Sequence, residues 1–117
     1  MITGLDLEAT IDYTLKNDKE NPTIFKLGVI PSYLFARLSE VETSSNIEKA
    51  YKILQLTIKG WENLNGIVFA TSKEKIFDRE IEVVPISLLE RLPMNVITEL
   101  LVKAIEINQL TEQERKN

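Results

Sequence analysis

Residues 5–16 read Leu-Asp-Leu-Glu-Ala-Thr-Ile-Asp-Tyr-Thr-Leu-Lys, an unbroken alternation of apolar and polar side chains. Successive side chains of a β-strand point to opposite faces, so this stretch predicts a half-buried strand with a polar outer face. The polar residues 17–22 that follow are typical of a turn. Residues 23–30 predict a second strand, and one of its faces carries Phe25, Leu27 and Val29. Together the two strands predict an antiparallel hairpin with a long tip.

The hydrophobic period changes after Pro31, and the middle of the chain predicts two helices. Residues 33–40 suit a short helix. A second helix is predicted after Ser45, because Ser45 and Glu48 have the spacing of a capping box. Its apolar side chains recur at helical spacing and are Ile47, Ala50, Tyr51, Leu54, Ile58 and Trp61.

The second half of the chain predicts another hairpin and a last helix. Residues 67–70 and 76–84 favour two strands that turn at residues 71–75. Arg79 interrupts the inward-facing set of the second strand, which indicates either a snorkelling stem or a bulge. Pro93 favours the first turn of the last helix, since its missing N–H costs nothing there. The tail, residues 111–117, is expected to fray.

This order of elements, β-β-α-α-β-β-α, predicts a single α+β domain over residues 1–117. In the predicted fold, the two hairpins form one antiparallel sheet, and about three to four helices pack on one face of it.

Composition and charge exclude several classes of protein. The chain has 117 residues, of which 44% are hydrophobic, and a net charge of −4. No basic stripe is present to displace counterions from phosphates, so the sequence predicts no binding to nucleic acid. No apolar run reaches the roughly 20 residues that span a bilayer, which predicts no membrane association. Residues 1–6 lack the basic and apolar regions of a signal peptide, so the expected location is the cytoplasm.

The residue types needed for common active sites are missing. The chain has no cysteine and no histidine, which excludes thiolate zinc sites, cysteine nucleophiles and imidazole bases. Its four glycines cannot form a phosphate-binding Gly-rich loop. Two predicted strands each carry a set of carboxylates on one face. The first strand has Asp6, Glu8 and Asp12, and the last strand has Asp78, Glu80 and Glu82. A solvated sheet face is the main interpretation, with a weak cation site as the alternative if the two strands are neighbours. We therefore expect no enzyme, no cofactor and no metal.

One local cluster, residues 60–66, contains the only tryptophan of the chain. Trp61 follows an amphipathic helix and precedes the turn signal Asn65-Gly66. One interpretation is that Trp61 closes the hydrophobic core. The other is that it anchors a protein interface, because tryptophan is enriched among interface hot spots. The candidate interface residues are Trp61, Asn63, Tyr51, Phe69 and Arg79.

Four segments of the C-terminal half carry a resemblance to a known class of proteins. They are Gly60-Trp61-Glu62-Asn63, residues 75–84 (Lys-Ile-Phe-Asp-Arg-Glu-Ile-Glu-Val-Val), residues 92–100 (Leu-Pro-Met-Asn-Val-Ile-Thr-Glu-Leu) and residues 110–117 (Leu-Thr-Glu-Gln-Glu-Arg-Lys-Asn). Together they resemble small proteins encoded among the morphogenesis genes of tailed bacteriophages, of the tail-assembly-chaperone or head-associated kind.

The resemblance implies a non-enzymatic virion-assembly or structural accessory protein. Its expected partners are other phage structural proteins, further copies of itself in a homo-oligomer, or both. Its expected location is the host cytoplasm or the virion. The alternative is a small acidic host-directed inhibitor, or nucleic-acid mimic, that binds a basic partner surface through Asp6, Glu8 and Asp12.

Overall fold

The computed structural model describes residues 1–40 and 46–116, with the side chains of the last helix described as far as residue 109. The elements in chain order are β1 (Ile11–Thr14), β2 (Ile24–Leu27), α1 (Ser32–Glu40), α2 (Asn46–Thr57), β3 (Ile58–Glu62), β4 (Ser72–Ile76), β5 (Arg79–Val83), α3 (Ile86–Leu89) and α4 (Met94–Lys116). The predicted α+β class is confirmed, and the four helices in the described ranges agree with the expected number.

The first hairpin forms as predicted, although its first strand is shorter. β1 pairs antiparallel with β2, and Tyr13 lies opposite Phe25. Only four residues of the alternating stretch join the ladder, because β2 itself has only four. Beyond Leu27 the amide of Gly28 donates instead to the Thr57 carbonyl, at 2.8 Å. The alternation therefore predicted the strand correctly and its length incorrectly.

The prediction of a helix through Trp61 is wrong at its C-terminal end. α2 ends at Thr57, and β3 follows at once and pairs antiparallel with β2. Ile58 and Trp61 are buried against β2 while Lys59 is exposed. Residues spaced by three or four fit a helix face equally well, so periodicity could not exclude the helix.

The second hairpin turns at a different place, and it forms a separate sheet. β4 and β5 pair from Ser72↔Val83 to Ile76↔Arg79, which leaves Phe77 and Asp78 as the turn. The predicted turn at residues 71–75 is therefore wrong, and residues 67–70 form no strand. β1 and β3 already occupy both edges of β2, and the second hairpin pairs only with itself among the described residues. The expected single sheet is thus two sheets.

A continuous hydrophobic core joins both sheets to the helices. Its fully buried side chains include Phe25, Leu54, Leu89, Leu100 and Ala104. One buried polar side chain joins a helix to the second sheet. The Gln55 amide donates to the Val84 carbonyl at 3.0 Å and to the Glu74 carboxylate at 3.1 Å, which fixes α2 against the second sheet.

The start of α4 matches the prediction. The amide of Ile97 donates to the Pro93 carbonyl at 3.0 Å, so Pro93 stands at the first turn. The backbone of α4 is helical to Lys116 and includes most of the tail that was expected to fray. Ser45, the proposed cap of α2, lies outside the described residues. No helix in the described ranges is long and apolar enough to cross a membrane.

Candidate functional site

Trp61 lies inside the protein. Its indole N–H donates to the Ile67 carbonyl at 3.1 Å, and its ring packs edge-on against Phe69 at 4.8 Å and Phe25 at 6.2 Å. Only 7% of the residue is exposed. Because a hot spot must offer surface to a partner, the side chain of Trp61 acts mainly in the core.

Asn63 holds two loops together next to Trp61. Its side-chain amide donates to the carbonyls of Asn21, at 2.6 Å, and Pro22, at 3.3 Å. In return the Thr23 hydroxyl donates to the Asn63 carbonyl at 2.8 Å. The backbone of Asn63 has φ 61°, a left-handed conformation that asparagine tolerates better than most residues. These contacts give Asn63 a structural role at the end of β3.

An open cleft of about 870 Å³ lies in front of this cluster and contains Trp61, Asn63 and Phe69 from the predicted interface. Val68, at its rim, is 87% exposed. Of the described residues that line the cleft, none is ionisable. The cleft therefore offers contacts for a partner but no general acid or base.

Tyr51 and Arg79, the other predicted interface residues, lie elsewhere. Tyr51 is half-buried on α2 and packs against the core. Arg79 is exposed at the start of β5, directly after the turn, so neither a bulge nor a snorkelling stem is needed to explain it. Its guanidinium carbon lies 4.6 Å from the centre of the Tyr33 ring.

The contact between Arg79 and Tyr33 belongs to a larger group that we call the basic–aromatic cluster, made up of Tyr33, Arg37, Lys52, Phe77 and Arg79. Arg37 stacks on Phe77 at 4.6 Å, and its guanidinium donates to the Tyr33 hydroxyl at 2.7 Å. The Lys52 ammonium lies 5.6 Å from the centre of the Phe77 ring. The cluster thus combines side chains from α1, α2 and the second hairpin.

The arginines of this cluster hold their positions through aromatic rings. Among the described residues, no salt bridge joins Arg37 or Arg79 to a carboxylate. Tyr33 is 42% exposed and Arg79 is exposed as well, so the cluster reaches the surface. Stacking restrains a guanidinium without neutralising it, which leaves its charge available to an anionic partner.

Phe77 occupies a strained backbone position. Its φ is 58° at the first residue of a two-residue turn, whereas Asp78 at the second position has no positive φ. This is the pattern of a type II′ turn, which strongly favours glycine at the first position. A bulky side chain there is an outlier. In this conformation the Phe77 ring lies within cation–π distance of both Arg37 and Lys52.

Sequence reasoning found only Arg79 of the five cluster residues. A signal existed for one pair, because Tyr33 and Arg37 have i, i+4 spacing in a predicted helix. Phe77 could not be placed once the turn had been assigned to residues 71–75.

A second surface groove, of about 440 Å³, runs between β1 and α4. The Tyr13 hydroxyl donates to the Glu99 carboxylate at 2.6 Å, and the Lys16 backbone amide donates to the same oxygen at 2.9 Å. Burial and the hydrogen bond to Glu99 raise the pKa of Tyr13 to about 12. The hydrogen bond from Tyr13 lowers the pKa of Glu99, with the Lys16 amide acting in the same direction.

The predicted carboxylates do not form one acidic face. β1 and β5 belong to different sheets, so Asp12 is not a neighbour of Glu80 or Glu82 in any strand pairing. Asp12 instead forms a salt bridge of 3.1 Å with Lys26. Within the described part of the chain, no three carboxylates come close enough together to hold a metal ion.

Comparison with known proteins gives no relative from which a role could be transferred. No family model, no curated protein and no solved structure matches this chain.

Proposed function

We propose that this protein is a non-enzymatic binding protein that takes part in assembling a larger protein complex, and that it binds an anionic surface of its partner through the basic–aromatic cluster. The observation that carries the proposal is the pair Arg37 and Arg79. Both are stacked on exposed or half-buried rings, and neither makes a salt bridge among the described residues.

The energetics of protein interfaces favour such a group. Arginine, tyrosine and other aromatic residues are enriched among interface hot spots. An arginine that is already restrained by stacking loses less side-chain freedom on binding than a free one. The chain has a net charge of −4, so a cluster with three cations is a local exception to its charge.

The resemblance of the C-terminal half to tailed-phage morphogenesis proteins supports the same class of function, since those proteins act through protein contacts. It makes virion assembly, in the host cytoplasm or in the particle, the specific form of the proposal. The alternative of an acidic inhibitor is weaker, because Asp12 is paired with Lys26 and shares no strand face with Asp6 and Glu8, so the three carboxylates do not form the acidic surface that it requires.

Co-expression with the products of neighbouring genes, followed by purification and mass determination, tests the proposal. We expect a complex whose affinity falls at least about tenfold in the double variant Arg37→Ala with Arg79→Ala, because each hot-spot residue contributes more than about 1 kcal/mol. The matched control is Lys19→Ala with Lys73→Ala, which removes two exposed cations elsewhere. A protein that co-purifies with no neighbouring product and remains strictly monomeric would refute it.

A further inference from the structure

The first ten residues of the chain form an exposed acidic arm. Residues 1–10 contain no helix and no strand, and of these only Leu5 is half-buried. The arm exposes large apolar side chains, with Ile2 at 74% and Leu7 at 48% exposure. Its side-chain charges, Asp6 and Glu8, are both negative. An exposed segment that mixes apolar side chains with carboxylates is complementary to a surface that mixes aromatic rings with guanidinium groups.

The arm lies against the body near its C-terminal end. At Gly28 a Cβ would come within 3.2 Å of the Ala9 carbonyl oxygen, so the chain passes close to the end of β2 at that point. The eight residues before Ala9 can span up to roughly 26–29 Å when extended. The whole chain, with the arm included, measures 41 × 32 × 24 Å, so an extended arm would be longer than the smallest dimension of the molecule and could contact an adjacent copy.

We infer that the basic–aromatic cluster binds the acidic arm of a second copy of this chain, so that two copies exchange arms in a symmetric dimer. The inference rests on the proposed function and specifies its partner. A two-fold axis would place each arm on the cluster of the other copy, and the association would close at two subunits. Asp6 and Glu8 would face Arg37 and Arg79, while Leu7 and Ile2 would cover the rings of Tyr33 and Phe77.

Charge reversal on either side provides the test. The first variant carries Arg37→Glu and Arg79→Glu, and the second carries Asp6→Lys and Glu8→Lys. Sedimentation velocity on each protein, at several concentrations and from low to high salt, measures the dimer. We expect the wild type to form a dimer that salt weakens. Each variant alone should associate at least about tenfold more weakly, because each then brings like charges together.

Mixing the two variants distinguishes arm exchange from other causes. In a heterodimer of the two variants, the acidic arm of the first lies on the basic cluster of the second. The basic arm of the second lies on the acidic cluster of the first. An equimolar mixture should therefore form a heterodimer. A single chain that carries all four substitutions should likewise regain the homodimer. The control Lys19→Glu with Lys73→Glu makes the same change in net charge as the first variant, at sites outside the cluster, and should leave the dimer intact. Circular dichroism establishes that every variant is folded.

Three outcomes would overturn the inference. The first is a wild type that is monomeric at every concentration. The second is a dimer whose affinity neither charge reversal changes. The third is a chain with all four substitutions that stays monomeric but is more stable to unfolding than either two-substitution variant. The last result would mean that each arm docks on its own cluster. If the wild type is monomeric but Arg37→Ala with Arg79→Ala abolishes binding to a neighbouring gene product, the proposed function stands and only the arm exchange fails. If those substitutions affect neither self-association nor partner binding, both fail.

Discussion

Tyr13 and Glu99 are joined by a hydrogen bond of 2.6 Å between residues that are 86 positions apart in the chain. The bond attaches β1, an edge strand of the first sheet, to α4 at a partly buried position. Within the sheet β1 pairs only with β2, and the Tyr13–Glu99 bond ties it to the last helix as well.

Replacing Tyr13 with phenylalanine should lower the stability of the protein at neutral pH. The variant should also lose less stability than the wild type when the pH is raised from 10 to about 12. The neutral phenol is the form that donates to Glu99, and its pKa is raised from 10.0 to about 12 on folding. Its contribution is therefore complete below pH 10 and is lost as the pH rises from 10 to about 12. We expect a loss of about 1 kcal/mol in Tyr13→Phe, since the pair is partly solvated. Urea unfolding at pH 7 and at pH 9–12 measures both effects, with Tyr51→Phe as the control. An unchanged alkaline slope would contradict the assignment.

Glu99 should make a contribution to stability that is lost as the pH falls, whereas that of Tyr13 is lost as the pH rises. The Tyr13 hydrogen bond lowers its pKa below the ordinary 4.5, so its contribution is present above pH 4.5 and disappears as the pH falls through the folded-state value. Glu99→Gln should be less stable than the wild type at pH 7, and the difference should shrink below pH 4.5. Thermal unfolding between pH 3 and 7 measures this, and Glu90→Gln removes an exposed carboxylate as the matched control. A constant difference across that range would rule out the linkage.

The contrast between the two sheets explains how much of the fold could be predicted. The hairpin of β1 and β2 was found because alternation and a polar loop are local signals. β3 was missed because the spacing of Leu54, Ile58 and Trp61 fits a helix as well as the observed helix-to-strand change. The basic–aromatic cluster depends on contacts between α1 and a hairpin tip far along the chain. No local pattern encodes such a contact, and the strained φ of Phe77 concealed the turn that makes it.

Asn108 should be the most sensitive polar residue of α4. It is 5% exposed, its carbonyl accepts from the Ile30 amide at 2.9 Å, and its amide donates to the Ala104 carbonyl at 2.8 Å. Asn108→Leu leaves the Ile30 amide buried without a partner, which costs about 1–3 kcal/mol. Denaturant unfolding of this variant should show that loss, whereas Gln109→Leu on the exposed neighbour should not. Equal losses in the two variants would mean that the hydrogen bond to the Ile30 amide contributes little to stability.

Thr57 differs from Asn108 in that its buried polar group lacks a partner within the described ranges, so an apolar replacement of the same shape should not cost stability. Its hydroxyl is fully buried and has no hydrogen-bond partner among the described residues. Valine has the same shape without the unsatisfied oxygen, so Thr57→Val should be neutral or should stabilise the protein by about 1 kcal/mol. Thr57→Ala, which removes the oxygen but leaves a cavity, should destabilise it. Thermal melting of both variants checks the order, and a destabilised valine variant would indicate a partner for the hydroxyl.

Phe77 allows the backbone strain to be separated from the ring contacts. Alanine removes the ring but keeps a Cβ at φ 58°, while glycine removes both the ring and the strain. In ordinary strand positions glycine is less stable than alanine by about 0.5–1 kcal/mol. At position 77 we expect the reverse, with Phe77→Gly more stable than Phe77→Ala by about 1 kcal/mol, because a left-handed conformation costs an L-residue roughly that amount.

The same pair of substitutions at Glu80, an exposed position in β5, should show the usual order and serves as the control. Urea unfolding of all four variants decides, and the usual order at both positions would mean that the turn is not strained. Both Phe77 variants should also weaken binding at the basic–aromatic cluster, since the ring that positions Arg37 is absent in each.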